Sequence, residues 1–267
     1  MDTNLNASKP ATGAQAPLVT ILVATYNRAH YIGEAVASAQ KQTFQNWELI
    51  ILDDASTDGT ETIARDMAAR DSRIAYVRHP QNKGIAGNRN AGLALAKGTY
   101  IAVLDSDDVW TAPTKLERQV AYLASNPACV AVGTQVSVID ENGARTGSIS
   151  YETTDAGIRA HFLRRNQFAQ SSIMYRLSAA QAVGGYDPAW TVNDDYDLWL
   201  KMGSQGTFAN LSEEMAAYRE HTGGITKTKR LKAAIEHLRI IKKHGKQYPN
   251  YVPALFKSYL RILRATI

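Results

Sequence analysis

Asp105, Ser106, Asp107 and Asp108 crowd three carboxylates into four residues directly after an apolar run, TYIAVLD at 99–105. Like charges at that spacing repel unless donors or a cation neutralise them. Hard divalent cations, Mn2+ or Mg2+, take oxygen ligands and commonly share one or two carboxylates with phosphate oxygens. A metal site is therefore one reading of the segment, and a solvated acidic loop is the other. A second group, Asp53-Asp54, closes ELIILDD at 48–54 and precedes Ala55-Ser56-Thr57-Asp58-Gly59-Thr60. Ser56, Thr57 or Asp58 can cap a following helix, but capping does not explain paired acids at a strand end. The third group, Asn193-Asp194-Asp195-Tyr196-Asp197, opens a helix-like stretch where acids also meet the N-terminal dipole favourably. Asp194 and Asp197 share a face at i,i+3 and Asp195 points about 100° away, so the acids need not share one task.

Other chemistry is thinner. Thr25-Tyr26-Asn27-Arg28 follows the first apolar run and offers hydrogen-bonding groups and a ring. The segment Lys83-Gly84-Ile85-Ala86-Gly87-Asn88-Arg89-Asn90-Ala91-Gly92 matches neither GxGxxG nor GxxxxGK[ST], which weakens dinucleotide and Walker readings. Gly87 and Gly92 are expected to permit close helix-to-sheet contact. Arg89 could instead bind a diphosphate bidentately. His30, His79, His161, His237 and His244 have no companion ligands nearby in sequence and read as surface or packing residues. His221, within Tyr218-Arg219-Glu220-His221-Thr222-Gly223-Gly224, sits where a loop can close over a site.

These groups need a scaffold that gathers strand ends. Apolar runs at 18–25, 48–54, 74–78 and 99–105 alternate with helix-like stretches near 30–42, 58–70, 85–97 and after Pro113. Nearly continuous apolarity marks strands covered by helices on both faces, hence a βαβ series and a mostly parallel sheet. In such sheets ligands bind beyond the carboxyl ends of the strands, which is where the acids fall. Beyond Ala112 a mixed, partly antiparallel extension is expected. It comprises a strand at 129–139, a DENG turn at 140–143, a short helix at 155–165 and a strand at 171–176. A helix from about Ser178 to Gly184-Gly185 follows, then one capped by Asn193 through Lys201. Two amphipathic helices near 228–244 and 251–265 close the chain.

The chain has 267 residues, 45% of them hydrophobic and 21% charged, enough for a sizeable core. Residues 1–17 show no hydrophobic period and read as a disordered leader; 18–224 form the main domain, divided into 18–112 and 113–224; 225–267 form a tail. A lone Cys129 can make neither an internal disulfide nor a cysteine zinc cage, so a reducing, cytoplasmic setting is expected. No apolar run reaches the ~18–20 residues that cross a bilayer, and the first residues lack a secretory layout. Net charge is +5, but from Thr226 onward there are eleven Lys and Arg against one acid, Glu236, leaving 19 basic and 24 acidic residues before it. An acidic body of −5 thus carries a basic tail of +10.

Taken in order, Thr25 to Arg28, Asp53 to Thr60, Asn82-Lys83-Gly84 with Asn88 to Gly92, Leu104 to Asp108, and Asp194 to Trp199 resemble glycosyltransferase family 2. The resemblance spans about Leu18 to Gly224. It implies a GT-A α/β fold, a nucleotide-sugar donor, a divalent metal and an inverting mechanism. On that resemblance Tyr26 packs on the donor base and Asp54 hydrogen-bonds to it. Asp105, Ser106 and Asp107 look like the DXD motif, with Asp105 near the ribose and metal shell and Asp107 the direct ligand. His221 resembles a late histidine that joins the metal and diphosphate site. Asp195 is similar to the catalytic base that follows an acid in the family's usual Glu-Asp pair, Asp194 standing in place of the Glu. Thr25, Asn27, Lys83, Arg89 and Ser106 complete the expected donor-binding set.

The chain lacks the Gln-x-x-Arg-Trp motif and the membrane helices of many processive synthases of the family. Transfer of a single sugar, by family habit from a UDP-sugar, to a glycan or lipid-linked acceptor in surface-polysaccharide synthesis is therefore the expected activity. A nucleotidyltransferase is the alternative enzyme, though it would want a Gly-rich basic loop after the first strand. A silent sugar- or nucleic-acid-binding module is the other, and an acidic ligand edge argues against nucleic acid. The tail's apolar faces leave three partners open: its own domain, a second copy in a homodimer, or an anionic membrane surface, which would make the protein peripheral at the inner face.

Overall fold

The computed structural model describes residues 16–224 and 228–266; the leader expected at 1–17 lies, apart from Ala16 and Pro17, outside them. The first half alternates strand and helix: β1 (Val19–Thr25), α1 (Ile32–Gln40), β2 (Trp47–Asp53), α2 (Thr60–Arg70), β3 (Ile74–Arg78), α3 (Gly84–Leu95) and β4 (Tyr100–Val103). All seven residues of β1 are buried, as a strand covered on both faces requires. β3, β2, β1 and β4 lie side by side in parallel. The expected βαβ series is therefore present, with element ends within a few residues of the sequence reading. Gly92 is the point of closest approach between α3 and the sheet, because a Cβ there would meet Leu52 Cδ1 at 2.5 Å. Gly87 has no such role; its added Cβ would touch only Lys83 of the first turn.

The second half contains β5 (Val109–Trp110), α4 (Lys115–Ser125), β6 (Cys129–Ile139), β7 (Arg145–Ile149), α5 (Asp155–Phe162), β8 (Met174–Arg176), α6 (Leu177–Ala182), α7 (Asp194–Met202) and β9 (Thr207–Arg219). β8 runs antiparallel to both β4 and β6, so the same sheet continues across the junction in the order β3-β2-β1-β4-β8-β6-β9-β5, with β7 paired to β6. This is the mixed extension expected, with corrections. The strand expected at 171–176 is only Met174–Arg176, because Gln170–Ser172 turns as a short 3-10 helix. The 13-residue β9 has no counterpart in the sequence reading, since TFANLSEEMAAYR neither alternates nor favours strand. It forms because β6 offers a parallel edge along nearly its whole length.

The tail forms α8 (Arg230–His244) and α9 (Tyr251–Thr266). Ile240 and Ile241 of α8 and Ala254 of α9 join the same buried cluster as Phe162, Tyr196 and Trp199. The tail is thus packed onto the second half of the sheet domain.

Candidate active site

Three loops at the carboxyl edge of the parallel strands are shaped by hydrogen bonds to one another. After β1, Asn27 takes the left-handed conformation (φ 52°); its N–H donates to Ser56 Oγ at 2.9 Å and its Oδ1 accepts from Thr57 N–H at 2.8 Å. After β2, Ala55 is also left-handed (φ 65°), a conformation that costs a residue with a Cβ about 1–2 kcal/mol. Asp53 is consumed locally, accepting from Ser56 N–H at 2.8 Å and Tyr76 Oη–H at 2.6 Å. Asp54 instead reaches across to the start of α3, accepting from Lys83 N–H at 2.7 Å. All eleven candidate residues (Thr25, Tyr26, Asn27, Asp54, Lys83, Arg89, Asp105, Ser106, Asp107, Asp195, His221) line one cavity of about 1040 Å3. Tyr26 is half exposed at its wall.

The acidic run after β4 divides its labour. Asp108 is buried and accepts from Ser171 Oγ–H at 2.5 Å and Arg219 N–H at 2.8 Å. Burial, with Asp107 and Asp105 beside it, raises its pKa well above the carboxylate range. Asp107 Oδ2 accepts from Arg28 Nε–H at 3.0 Å and lies 3.1 Å from His221 Nε2. Burial opposes its charge, but the His221 hydrogen bond and the Arg28 cation outweigh that and hold Asp107 below the usual range. Asp105 Oδ1 accepts from Arg89 Nη2–H at 2.8 Å. Its pKa is raised, by burial first and by Asp107, against the pull of Arg89.

Arg89 spans two acidic groups, because its Nη1–H donates to Asp194 Oδ2 at 2.9 Å while Nη2 holds Asp105. Both Arg89 and Asp194 are buried, so this guanidinium is engaged by carboxylates as well as facing the cavity. Asp197 points the other way, its Oδ1 accepting from Lys243 Nζ at 3.0 Å and lying 2.8 Å from His244 Nε2. Of this cluster, Asp195 faces the cavity without an ion-pair partner; its Oδ2 accepts from Asn166 Nδ2–H at 2.9 Å. Burial, then the Asp194 charge, raise its pKa to about 7. A carboxylate so poised suits general-base catalysis near neutral pH.

α7 begins at Asn193 as the sequence indicates, but the side chain caps nothing; its Nδ2–H donates to Ala233 O of α8. The approach to the helix is tied instead by Glu236, the tail's only acid, which is buried. Its two oxygens accept from the N–H groups of Thr191, Val192 and Asn193 at 3.1, 3.0 and 3.2 Å, and from Thr191 Oγ1–H at 2.8 Å. Sequence reasoning missed Glu236, Arg28, Asn166 and Arg219. A lone acid in a basic tail is a usable signal for Glu236, and Arg219 adjoins the His221 loop. Nothing in the sequence marks Asn166. Arg219 Nε–H donates to Asp107 O at 2.8 Å and its Nη2 to Glu34 Oε2 at 2.5 Å, so it buttresses the loop carrying Asp107.

A carboxylate oxygen and an imidazole nitrogen that already meet, Asp107 and His221, form an open pair able to hold a divalent cation whose other positions go to phosphate oxygens. Among the described residues no group of three or more His, Cys, Asp or Glu forms a closed metal cage.

Residues 20–183 match the profile described as glycosyl transferase family 2, over more than half of the chain. The chain belongs to this family. A Bacillus subtilis (strain 168) protein named as a glycosyltransferase, EpsE, is 38% identical over 208 residues, covering 76% of this chain and 73% of EpsE. WfaP of Escherichia coli, named as a UDP-Glc:alpha-D-GlcNAc-diphosphoundecaprenol beta-1,3-glucosyltransferase, is 32% identical over 240 residues, 90% of this chain and 91% of WfaP. Among solved structures, the mannosyltransferase PcManGT of Pyrobaculum calidifontis, in complex with GDP-Man and Mn2+, superposes with a TM-score of 0.70 at 20% identity. That match covers 97% of this chain and 76% of PcManGT. The architecture is the GT-A fold. The family 2 protein is a glycosyltransferase, which sets aside the nucleotidyltransferase and the silent binding module.

Proposed function

We propose that this glycosyltransferase moves one sugar from a nucleotide-sugar donor, a UDP-sugar, to a hydroxyl of a glycan or lipid-linked acceptor, inverting the anomeric carbon. The observation that carries this reading is a single cavity with a cation-neutralised carboxylate, Asp107, and a cation-poor carboxylate, Asp195, whose pKa is raised to about 7. Tyr26 and Asp54 would hold the base, with Thr25, Asn27 and Lys83 around it, while Asp105 and Ser106 border the ribose. Asp107 and His221 would hold Mn2+ or Mg2+, which when bound neutralises charge developing on the departing diphosphate. Asp195 takes the acceptor hydroxyl's proton as that oxygen attacks the anomeric carbon and the sugar–phosphate bond breaks. Asn166 orients its carboxylate, and Arg89 keeps Asp194 and Asp105 neutralised beside it. One displacement without a covalent intermediate inverts the centre.

The donor and acceptor classes are supported by WfaP, whose name joins UDP-Glc to a diphosphoundecaprenol-linked acceptor, and metal use by PcManGT, which binds Mn2+ with GDP-Man. A lipid-linked acceptor suits surface-polysaccharide synthesis at the cytoplasmic face of a membrane. No helix among the described residues is long and apolar enough to cross one. Calorimetry of UDP, GDP and dTDP, each with and without Mn2+, tests the donor site. Metal-dependent binding of UDP that Asp107→Ala abolishes is expected. Folded protein that binds none of the three, or binds UDP equally without metal, would sink the donor-site reading.

A further inference from the structure

The last helix is apolar on two faces, only one of which is packed. α9 packs inward through Ala254 and Ser258, which are 0% and 1% exposed, with Tyr251 and Leu255 partly buried against the same core. Four other large apolar side chains point to solvent: Val252 is 73% exposed, Phe256 69%, Tyr259 52% and Leu263 58%. At 100° per residue these four fall within a stripe about 40–60° wide, opposite the Ala254–Ser258 face. An amphipathic helix that only completes a core turns its apolar stripe inward. This one also turns a stripe away, so that stripe is made for something outside the chain.

The flank of the stripe says what that is. Leu260, 37% exposed, widens one side of the stripe, and the exposed Lys257 and Arg264 follow it there; Arg261 lies further round toward the packed face, and Arg164 and Arg165 come from just beyond α5 beside them. The five are close enough that, after burial, the four arginines lower the Lys257 ammonium's pKa. None of the five makes an ion pair among the described residues; Arg261 and Arg165 donate only to the backbone oxygens of Arg164 and Ser150. The tail's one acid, Glu236, is buried against residues 191–193 and cannot compensate them. Apolar side chains beside unpaired cations match an anionic lipid surface, where rings and aliphatic groups enter the acyl boundary and Lys and Arg meet headgroups.

We propose that the outer face of α9, with the Arg164–Arg165 corner, docks the protein onto an anionic bilayer. The contact stands independently of the proposed activity, but the geometry joins the two. Arg165 immediately precedes Asn166, which lines the cavity and donates to Asp195. Docking at this corner would bring the cavity's acceptor side toward lipid-borne substrates.

Flotation of the full chain with phosphatidylcholine vesicles, with and without phosphatidylglycerol, tests the proposal. Binding to the anionic vesicles is expected, at least tenfold weaker to neutral ones. The same loss is expected for Phe256→Glu/Leu263→Glu and for Lys257→Glu/Arg264→Glu. All four positions are outside the catalytic cavity, so nucleotide binding by these variants should match the wild type and report that they fold. Folded protein that ignores anionic vesicles, or variants that bind as well as wild type, would overturn the proposal. So would sedimentation showing a wild-type dimer that Phe256→Glu/Leu263→Glu turns into a monomer.

Discussion

The two acidic clusters of the cavity, 105–108 and 194–197, each contain three aspartates and are organised alike. In each, one acid is used up in the scaffold: Asp108 by Ser171 and Arg219, Asp197 by Lys243 and His244. In each, one acid is held by Arg89, which grips Asp105 and Asp194 together. The third acid of each faces the cavity, and here they part. Asp107 has Arg28 and His221 beside it and stays ionised below the usual range. Asp195 has only an amide donor and the Asp194 charge, and its pKa climbs to about 7. Identical side chains are thus given different proton affinities by what stands within hydrogen-bonding reach, which suits one to the proposed role of cation partner and the other to that of base.

The sharpest way to break this contrast is Asp195→Asn. Turnover in a transfer assay should fall on the order of 10^3-fold, while metal-dependent nucleotide binding measured by calorimetry persists. Wild-type kcat/KM should rise with pH through a limb near 7, because Asp195 works only once deprotonated; a rate flat from pH 5 to 8 would argue for another base. Asp107→Ala should act on the other pole, lowering kcat/KM by roughly 10^2-fold with the loss concentrated in nucleotide binding. Arg89→Met removes the shared bridge and leaves the buried Asp194 and the partly buried Asp105 without their cation, at a cost of about 3–5 kcal/mol in denaturant unfolding. If the variant remains folded, its pH–rate limb should move upward, since the Arg89 charge holds the Asp195 pKa down. Smallest is Glu236→Gln, which keeps shape but weakens the grip on residues 191–193. A several-fold fall in kcat with little change in donor KM is expected there, and an equal fall in Asn166→Ala would place the two supports of Asp195 on a par.

Much of this was legible in the residues. Buried parallel strands must be apolar throughout, so β1, β2 and β4 announce themselves, and the polar residues that follow each strand mark the ligand edge. β9 was not legible, because a strand made of Ala, Glu, Ser and Met depends on a neighbouring edge for its backbone partners rather than on its own propensity. Arg89 was seen as a cation near the site but not as the link between two acidic groups, since Asp105 and Asp194 are distant in sequence and meet it only after folding. The tail showed the same limit: its helices and its basic excess were plain, yet which apolar face packs and which stays outside was not.

What the sequence determined by itself is a matter of local chemistry: strand apolarity, helix period, the placement of acids after strands, and the polar order that resembles family 2. What the tertiary structure alone decided is which of six aspartates are neutralised and which are left exposed to the cavity, and that α9 presents one stripe of large apolar side chains to solvent. The physical reason is common to both. Charge state and burial depend on neighbours within a few ångströms, and at this site those neighbours come from segments as far apart as Arg28 and His221, or Glu236 and Asn193, which nothing local in the chain brings together.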